Sequence, residues 1–166
     1  LCSTDDRWGD TTIDAFLKYP KRVFPIGRLD KDSEGLLLMT NHGDILNKIM
    51  RAGNYHEKEY EVEIDRPVTE KLIRKMQQGV WLKELEQMTR PCEVKKIGEK
   101  KFSIILTQGL NRQIRRMCQT CGCKVLRLKR VRIMNITLGN LKTGEYREVT
   151  DAEIEELYER IKESRS

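Results

Sequence analysis

Residues Lys58–Ile64 read KEYEVEI. Tyr60, Val62 and Ile64 alternate with charged residues, the two-residue period of a strand with one face in a core and the other in water. The neighbours of this strand decide the fold class. Segments 92–97 and 102–107 flank GEKK at 98–101, a hairpin turn. Segments 124–128 and 130–138 are rich in Val, Ile and Leu, and a last short strand is expected over 146–149. Upstream, 35–40 is a short apolar run, GLLLMT. Several of these strands follow one another with no helix between them. That order predicts an α+β fold with a mixed, largely antiparallel sheet flanked by helices, and argues against a doubly wound one.

Four helices are expected. Over 43–52, GDILNKIMRA, the residues Ile45, Leu46, Ile49 and Met50 share a face and Gly53 closes the segment. Over 69–78, Thr69 caps the start and Gly79 the end. Over 111–121, Asn111 opens the helix and Gly122 stops it. Over 151–163, Thr150 and Glu153 form a capping box, with Ile154, Leu157, Tyr158 and Ile161 as the buried stripe.

Apolar content of 38% with 35% charged residues fits a well-hydrated globular chain, and 166 residues are enough for one domain with a real core. No repeat or low-complexity linker divides it, so a single domain over 1–166 is expected. No run approaches the ~20 apolar residues of a membrane helix. The opening stretch LCSTDDRWGD carries acids and lacks the apolar core of a secretory signal. A cytoplasmic protein without a membrane partner is the expectation. The chain does not begin with Met and reads as a fragment.

Five cysteines, an odd count, suggest reduced thiols. Cys118, Cys121 and Cys123 have the spacing of a metal cluster. Zinc, however, wants four ligands, usually from two paired motifs, and Cys2, Cys92, His42 and His56 are isolated. No metal is expected. Cys118 and Cys121 read instead as small apolar residues on the buried face of a helix.

Positive charge is more informative than its total, 32 Lys+Arg against 26 Asp+Glu for a net +6. In the helix over 111–121, Arg112 and Arg116 share one face with Arg115 at its edge, while Ile114, Met117, Cys118 and Cys121 line the other. Three arginines near a helix start are misplaced, because the dipole there prefers anions. A bound phosphate or a partner carboxylate would repair the misfit; a solvated cationic face is the bland alternative. Lys124–Arg132, KVLRLKRVR, alternates cations with apolar residues, so one side of a strand is expected in the core and the other to be cationic. Together these segments could line a groove for nucleic-acid phosphates. Few exposed aromatics accompany them, so broad base stacking is not expected.

Gly27–Asn41, GRLDKDSEGLLLMTN, places carboxylates inside this basic setting. Gly27-Arg28-Leu29-Asp30 followed by Ser33-Glu34-Gly35-Leu36-Leu37 resembles the catalytic motif of pseudouridine synthases of the RsuA/RluA type, and the longer pattern GRLDxxSEGLLLxTNxG is similar to the RsuA branch. Lys58-Glu59-Tyr60 resembles the family's tyrosine motif. Gly109 through Met117, GLNRQIRRM, resembles its third motif, and Leu128 with Arg130 through Gly139 the strand pair after it. HGD after TN, RAGN before KEY, QGLNRQIRRMC and RVRIMN are nearest the RluF type, which acts on large-subunit ribosomal RNA. The likeness covers about residues 20–150. The family's upstream S4-like RNA-binding module and early Asn-Lys-Pro motif are not found in this sequence, so it reads as the catalytic domain alone.

The resemblance implies a pseudouridine synthase fold with a bent sheet and a basic RNA-binding cleft, and a monomer that needs no cofactor. It implies conversion of uridine in ribosomal RNA, 23S in particular, to pseudouridine. Asp30 matches the nucleophile; taken alone, an Asp before a strand is a turn or cap residue. Arg115 matches the arginine that pairs with this aspartate and keeps it ionised. Tyr60 matches the tyrosine that packs against the target uracil and is placed for the final deprotonation; its bland reading is a strand aromatic. Leu128 matches an apolar support for the base, or is a plain core leucine. Asp32 falls at the wrong motif position and reads as a surface or turn residue. The target base must leave the RNA stack, and Arg28, by likeness to the RluA branch, would fill the vacated space. Arg112, Arg116 and Lys58 are expected phosphate contacts, and Lys129 is added on its basic neighbourhood alone. Two other readings remain: a non-catalytic RNA-binding or ribosome-assembly module on the same fold, and a DNA-binding domain, for which no recognition-helix pattern or zinc finger is seen.

Overall fold

A computed structural model describes residues 23–41 and 56–162. The helix expected over 43–52 lies outside the described residues. The strand over Lys58–Ile64 (β4) is the centre of the main sheet. On one side it pairs antiparallel with β8 (Lys101–Leu106), which pairs in turn with β7 (Glu93–Gly98). Gly98 faces Lys101, so the GEKK segment is the hairpin turn that its composition predicts. On the other side β4 pairs antiparallel with β9 (Val125–Ile133). The free edge of β9 is shared: β10 (Ile136–Thr137) pairs antiparallel with its end and β2 (Glu34–Gly35) pairs parallel with its middle. Two small ribbons complete the strands, β1 (Phe24–Ile26) with β3 (Leu38–Thr40), and β5 (Trp81–Leu82) with β6 (Gln87–Met88). The fold is α+β with a mixed, mostly antiparallel sheet and three helices among the described residues.

The sheet buries one face. Val62 and Ile64 of β4, Phe102, Ile104 and Leu106 of β8 and Leu128 of β9 form a core with two helices, α1 (Glu70–Gln78) and α2 (Gln113–Thr120). Val62, Ile64, Phe102 and Ile104 are fully buried, and each such burial contributes about 1.5–3 kcal/mol. A second core joins Ile26, Leu36 and Leu38 to Ile133, Met134 and Ile136 and to the third helix, α3 (Asp151–Lys162). Local capping follows the sequence. The Leu72 N–H donates to Thr69 Oγ1 at 3.1 Å. Thr150 and Glu153 bond reciprocally, Glu153 N–H to Thr150 Oγ1 at 3.2 Å and Thr150 N–H to Glu153 Oε1 at 2.9 Å.

Several expectations are corrected. Residues 35–40 are not one strand. Gly35 passes against the Arg130 backbone, the chain breaks at Leu36–Leu37, and β3 turns away to pair with β1. Segments 124–128 and 130–138 are divided elsewhere: β9 runs on through Ile133, and the turn at Met134 (φ 54) starts β10. Residues 146–149 are not a strand, because Arg147 and Thr150 both bond Glu153 and the segment serves the start of α3. Leu157 and Ile161 are buried, but Ile154 and Tyr158 lie at the surface, so α3 meets the core by an edge. The helix expected over 111–121 begins only at Gln113, since Arg112 adopts a left-handed backbone. Cys118 is fully buried and Cys121 packs against the same core. Among the described residues, no group of three or more His, Cys, Asp or Glu could hold a metal, and no helix is long and apolar enough to cross a membrane.

Candidate active site

Asp30 lies on the loop between β1 and β2. The Ser33 N–H donates to the Asp30 carbonyl at 2.9 Å, which makes 30–33 a turn with aspartate at its favoured first position. Arginines hold this loop from both sides. From the start of α2, Arg112 makes a fork with Asp32, Nη1 to Oδ1 at 3.1 Å and Nη2 to Oδ2 at 3.0 Å. Arg115 Nη2 donates to the Asp32 carbonyl at 2.7 Å, and its Nε stands 3.6 Å from Asp32 Oδ2. From β9, the Arg130 guanidinium bonds the carbonyls of Leu36 and Arg28, and Arg127 makes a fork with Glu34. The hydrogen bond from Arg112 holds the Asp32 carboxyl below its usual range, and the same bond raises the Arg112 guanidinium. Arg127 lowers Glu34 in the same way.

Asp30 stands apart from these forks. Its Oδ2 is 4.0 Å from Arg112 Nη1, beyond hydrogen-bond reach, and its side chain is 41% exposed. It therefore has a cation beside it while its carboxylate oxygens accept no hydrogen bond from the described residues. The expected Asp30–Arg115 pair is not the one that forms. The turn carries Asp32 toward the start of α2, and Arg115 is spent on Asp32. Asp32 is a turn and surface residue, as its position suggested, but not an incidental one: it is the partner carboxylate that repairs the misplaced charge at the start of α2. Arg112 reaches it from a left-handed backbone (φ 49, ψ 39), a conformation that costs a non-glycine residue about 1–2 kcal/mol.

The floor beside the loop is the sheet. Lys58 and Tyr60 share a face of β4 with the core residues Val62 and Ile64. Tyr60 is half-buried and faces Arg130, and Val62 faces Leu128. So Lys58, Tyr60, Leu128 and Arg130 lie on one face, the one on which Arg130 reaches the Asp30 loop. Two register shifts between β4 and β9 explain why the alternation of KVLRLKRVR does not divide it into a buried and a cationic side. One, beside Tyr60, sends Arg132 to the opposite face, where it bonds Glu59 and Glu57, and leaves Arg130 inward, 4% exposed. The other leaves Leu126 exposed. Lys58 has no ion pair or hydrogen bond from its amine among the described residues. Burial, then the Arg130 charge, push its pKa below the ordinary lysine value.

The remaining expected contacts divide. The Arg28 side chain is exposed and open at the loop's start. Arg116 turns back onto Asn111, donating to its carbonyl and to Oδ1, both at 2.9 Å, with Glu84 at 3.9 Å. Lys129 is not brought to the site: it faces Glu61 on the opposite side of the sheet. A surface hollow on that side, lined by Glu59, Glu93, Lys95, Ser103 and Ile105, contains none of the site residues. Three residues of the site are not marked by the sequence pattern. Asp32 falls outside the motif position of a nucleophile. Gln113, 4% exposed, accepts from the Leu110 N–H and donates to Gln108, fixing the turn before α2. Arg130 had a usable signal, since it lies two residues beyond Leu128 on a strand and so shares its face.

A carboxylate left unbonded beside a guanidinium, with a tyrosine and a leucine on the adjoining sheet face, has lone pairs that could add to an electrophilic carbon. The comparisons give the family. The chain belongs to the RNA pseudouridylate synthase family, whose model matches residues 4–120. It is 52% identical over 166 residues to the dual-specificity RNA pseudouridine synthase RluF of Escherichia coli K12, a match that takes in 100% of this chain and 56% of that protein. It is 35% identical over 157 residues to the ribosomal large subunit pseudouridine synthase B of Bacillus subtilis 168, covering 92% of this chain and 64% of the relative. The crystal structure of a pseudouridylate synthase superposes with a TM-score of 0.83 at 32% identity, covering 88% of this chain and 65% of that one. The chain thus spans less than two thirds of the length of these relatives.

Proposed function

We propose that the protein isomerises particular uridines of large-subunit ribosomal RNA to pseudouridine, with Asp30 as the nucleophile. The observation that carries this reading is the division of labour between two carboxylates. Asp32 takes the direct bonds of Arg112 and Arg115, while Asp30 keeps the electrostatic support of Arg112 with its lone pairs open. A carboxylate in that state can add to the uracil ring or to the sugar carbon. The N1–C1′ bond breaks, uracil turns, a C5–C1′ bond forms, the bond to Asp30 is cleaved to give back the carboxylate, the C5 proton leaves and N1 gains one. Product and substrate have the same atoms and oxidation level, so the chain of steps calls for no co-reactant.

The base reaches Asp30 by leaving its stack. Tyr60 then packs against it and stands ready for the C5 proton, and Leu128 supports it. Arg28 is free to fill the gap in the RNA. Arg112, Arg116 and Lys58 meet phosphates, with Arg116 released from Asn111 and Glu84. The names of the two curated relatives, one for RNA and one for the ribosomal large subunit, support the substrate class. The test is pseudouridine mapping of large-subunit ribosomal RNA from cells with and without the gene. Loss of one or more sites, restored by the wild-type gene, is expected; an unchanged map would refute the proposal.

A further inference from the structure

We infer that Arg130 is a positioning residue for the nucleophile loop, an inference that rests on the catalytic reading above. Arg130 is 4% exposed and has no carboxylate partner among the described residues. Its bonds go to backbone. Nε donates to the Leu36 carbonyl at 2.8 Å and Nη1 to the Arg28 carbonyl at 3.4 Å. Its own carbonyl accepts the Leu36 N–H at 2.7 Å. One residue therefore grips the loop on both sides of Asp30, two residues before it and six after.

A buried guanidinium without a counter-ion is an expensive way to hold a loop. Lys58 on the same face adds a like charge instead of relieving it. Nη2 is buried without a hydrogen-bond partner, which leaves the group still less satisfied. Packing alone would be better served by an apolar side chain. What a planar, forked donor supplies, and an apolar residue cannot, is a fixed spacing between two carbonyls. That spacing sets where Asp30 stands relative to Tyr60, which pairs with Arg130 from the neighbouring strand β4.

The test uses the intact protein and ribosomal RNA substrate, with single-turnover rate and RNA Kd measured separately. Arg130→Met is expected to lower the rate about 100-fold, the scale of a 1 Å misplacement, after correction for the folded fraction, with Kd changed less than about threefold. Arg130→Lys keeps a donor for one carbonyl but not both, and should fall between. If Arg130→Met does not fold, the Lys variant decides: its rate should fall and amide exchange at Ser33–Leu36 quicken, and unchanged exchange with a wild-type rate overturns the inference. A rate within about threefold of wild type in the folded variant overturns the inference. So does a rate loss fully matched by lost affinity. If wild-type protein itself makes no pseudouridine, the catalytic reading has failed and not the role of Arg130.

Discussion

Gly35→Ala probes the seam between loop and sheet. Gly35 has φ +114, and a Cβ there would lie 2.2 Å from the Arg130 carbonyl oxygen and 2.5 Å from its nitrogen. Both are backbone atoms, so no rotamer change relieves the clash. To restore an ordinary 3.4 Å contact, β2 must retreat by about 1.2 Å. That breaks the Leu36 N–H bond to Arg130 and weakens the Arg130 Nε bond to Leu36, at about 0.5–1.5 kcal/mol each. The positive φ adds about 1–2 kcal/mol for alanine. The expected loss is about 2–5 kcal/mol in denaturant unfolding, or a Tm lower by about 4–20 °C. A retreat of this size should also slow single-turnover pseudouridine formation about 100-fold once corrected for folded protein. A variant with stability within about 0.5 kcal/mol of wild type and an unchanged rate would refute the view that this contact sets the loop.

Asp32→Asn should cost little stability, about 0.2–1 kcal/mol, because its forks are half-exposed at 40% and 51%. By loosening the Arg112 fork and removing a negative charge, it should tighten RNA binding and steepen its salt dependence by about one unit of log–log slope, as titrations between low and high salt would show; an unchanged slope would mean that Arg112 does not meet phosphate. Lys58→Met should be more stable than wild type at pH 7. The folded state lowers the Lys58 pKa and so binds fewer protons than the unfolded state just below the ordinary value of 10.5, and wild-type stability rises with pH through that window. The gap between variant and wild type should therefore narrow as pH climbs toward 10.5 in denaturant titrations, while RNA affinity is weaker; a gap that widens would contradict the assignment.

What could be read from the sequence was local chemistry. Thr69 and Thr150 cap helices because a hydroxyl finds an N–H three residues on, and KEYEVEI alternates because one face is buried. The long motif around Asp30 located the loop. What could not be read depends on neighbours distant in the chain. β2 lies parallel to β9 through Gly35 and Arg130, 95 positions apart in number, and nothing in GLLLMT marks the break that follows. The bulges of β9 are set by pairing with β4, so a regular alternation could not foresee that Arg130 is buried and Lys129 faces Glu61. Likeness to the family pairs Arg115 with Asp30, whereas the turn at 30–33 delivers Asp32 to it. Arg112 carried no sign of its left-handed backbone, and the Trp81–Met88 ribbon is too short for a period to be seen.

The most direct test of the account is Asp30→Asn. The amide keeps the shape of the side chain and cannot act as the nucleophile. Because the Asp30 carboxylate makes no hydrogen bond with the described residues and only a 4.0 Å ion pair, the variant should unfold like wild type and bind ribosomal RNA at least as well. Pseudouridine formation, measured in single turnover on that RNA, should fall to background. A folded Asp30→Asn protein that still forms pseudouridine would contradict the central claim.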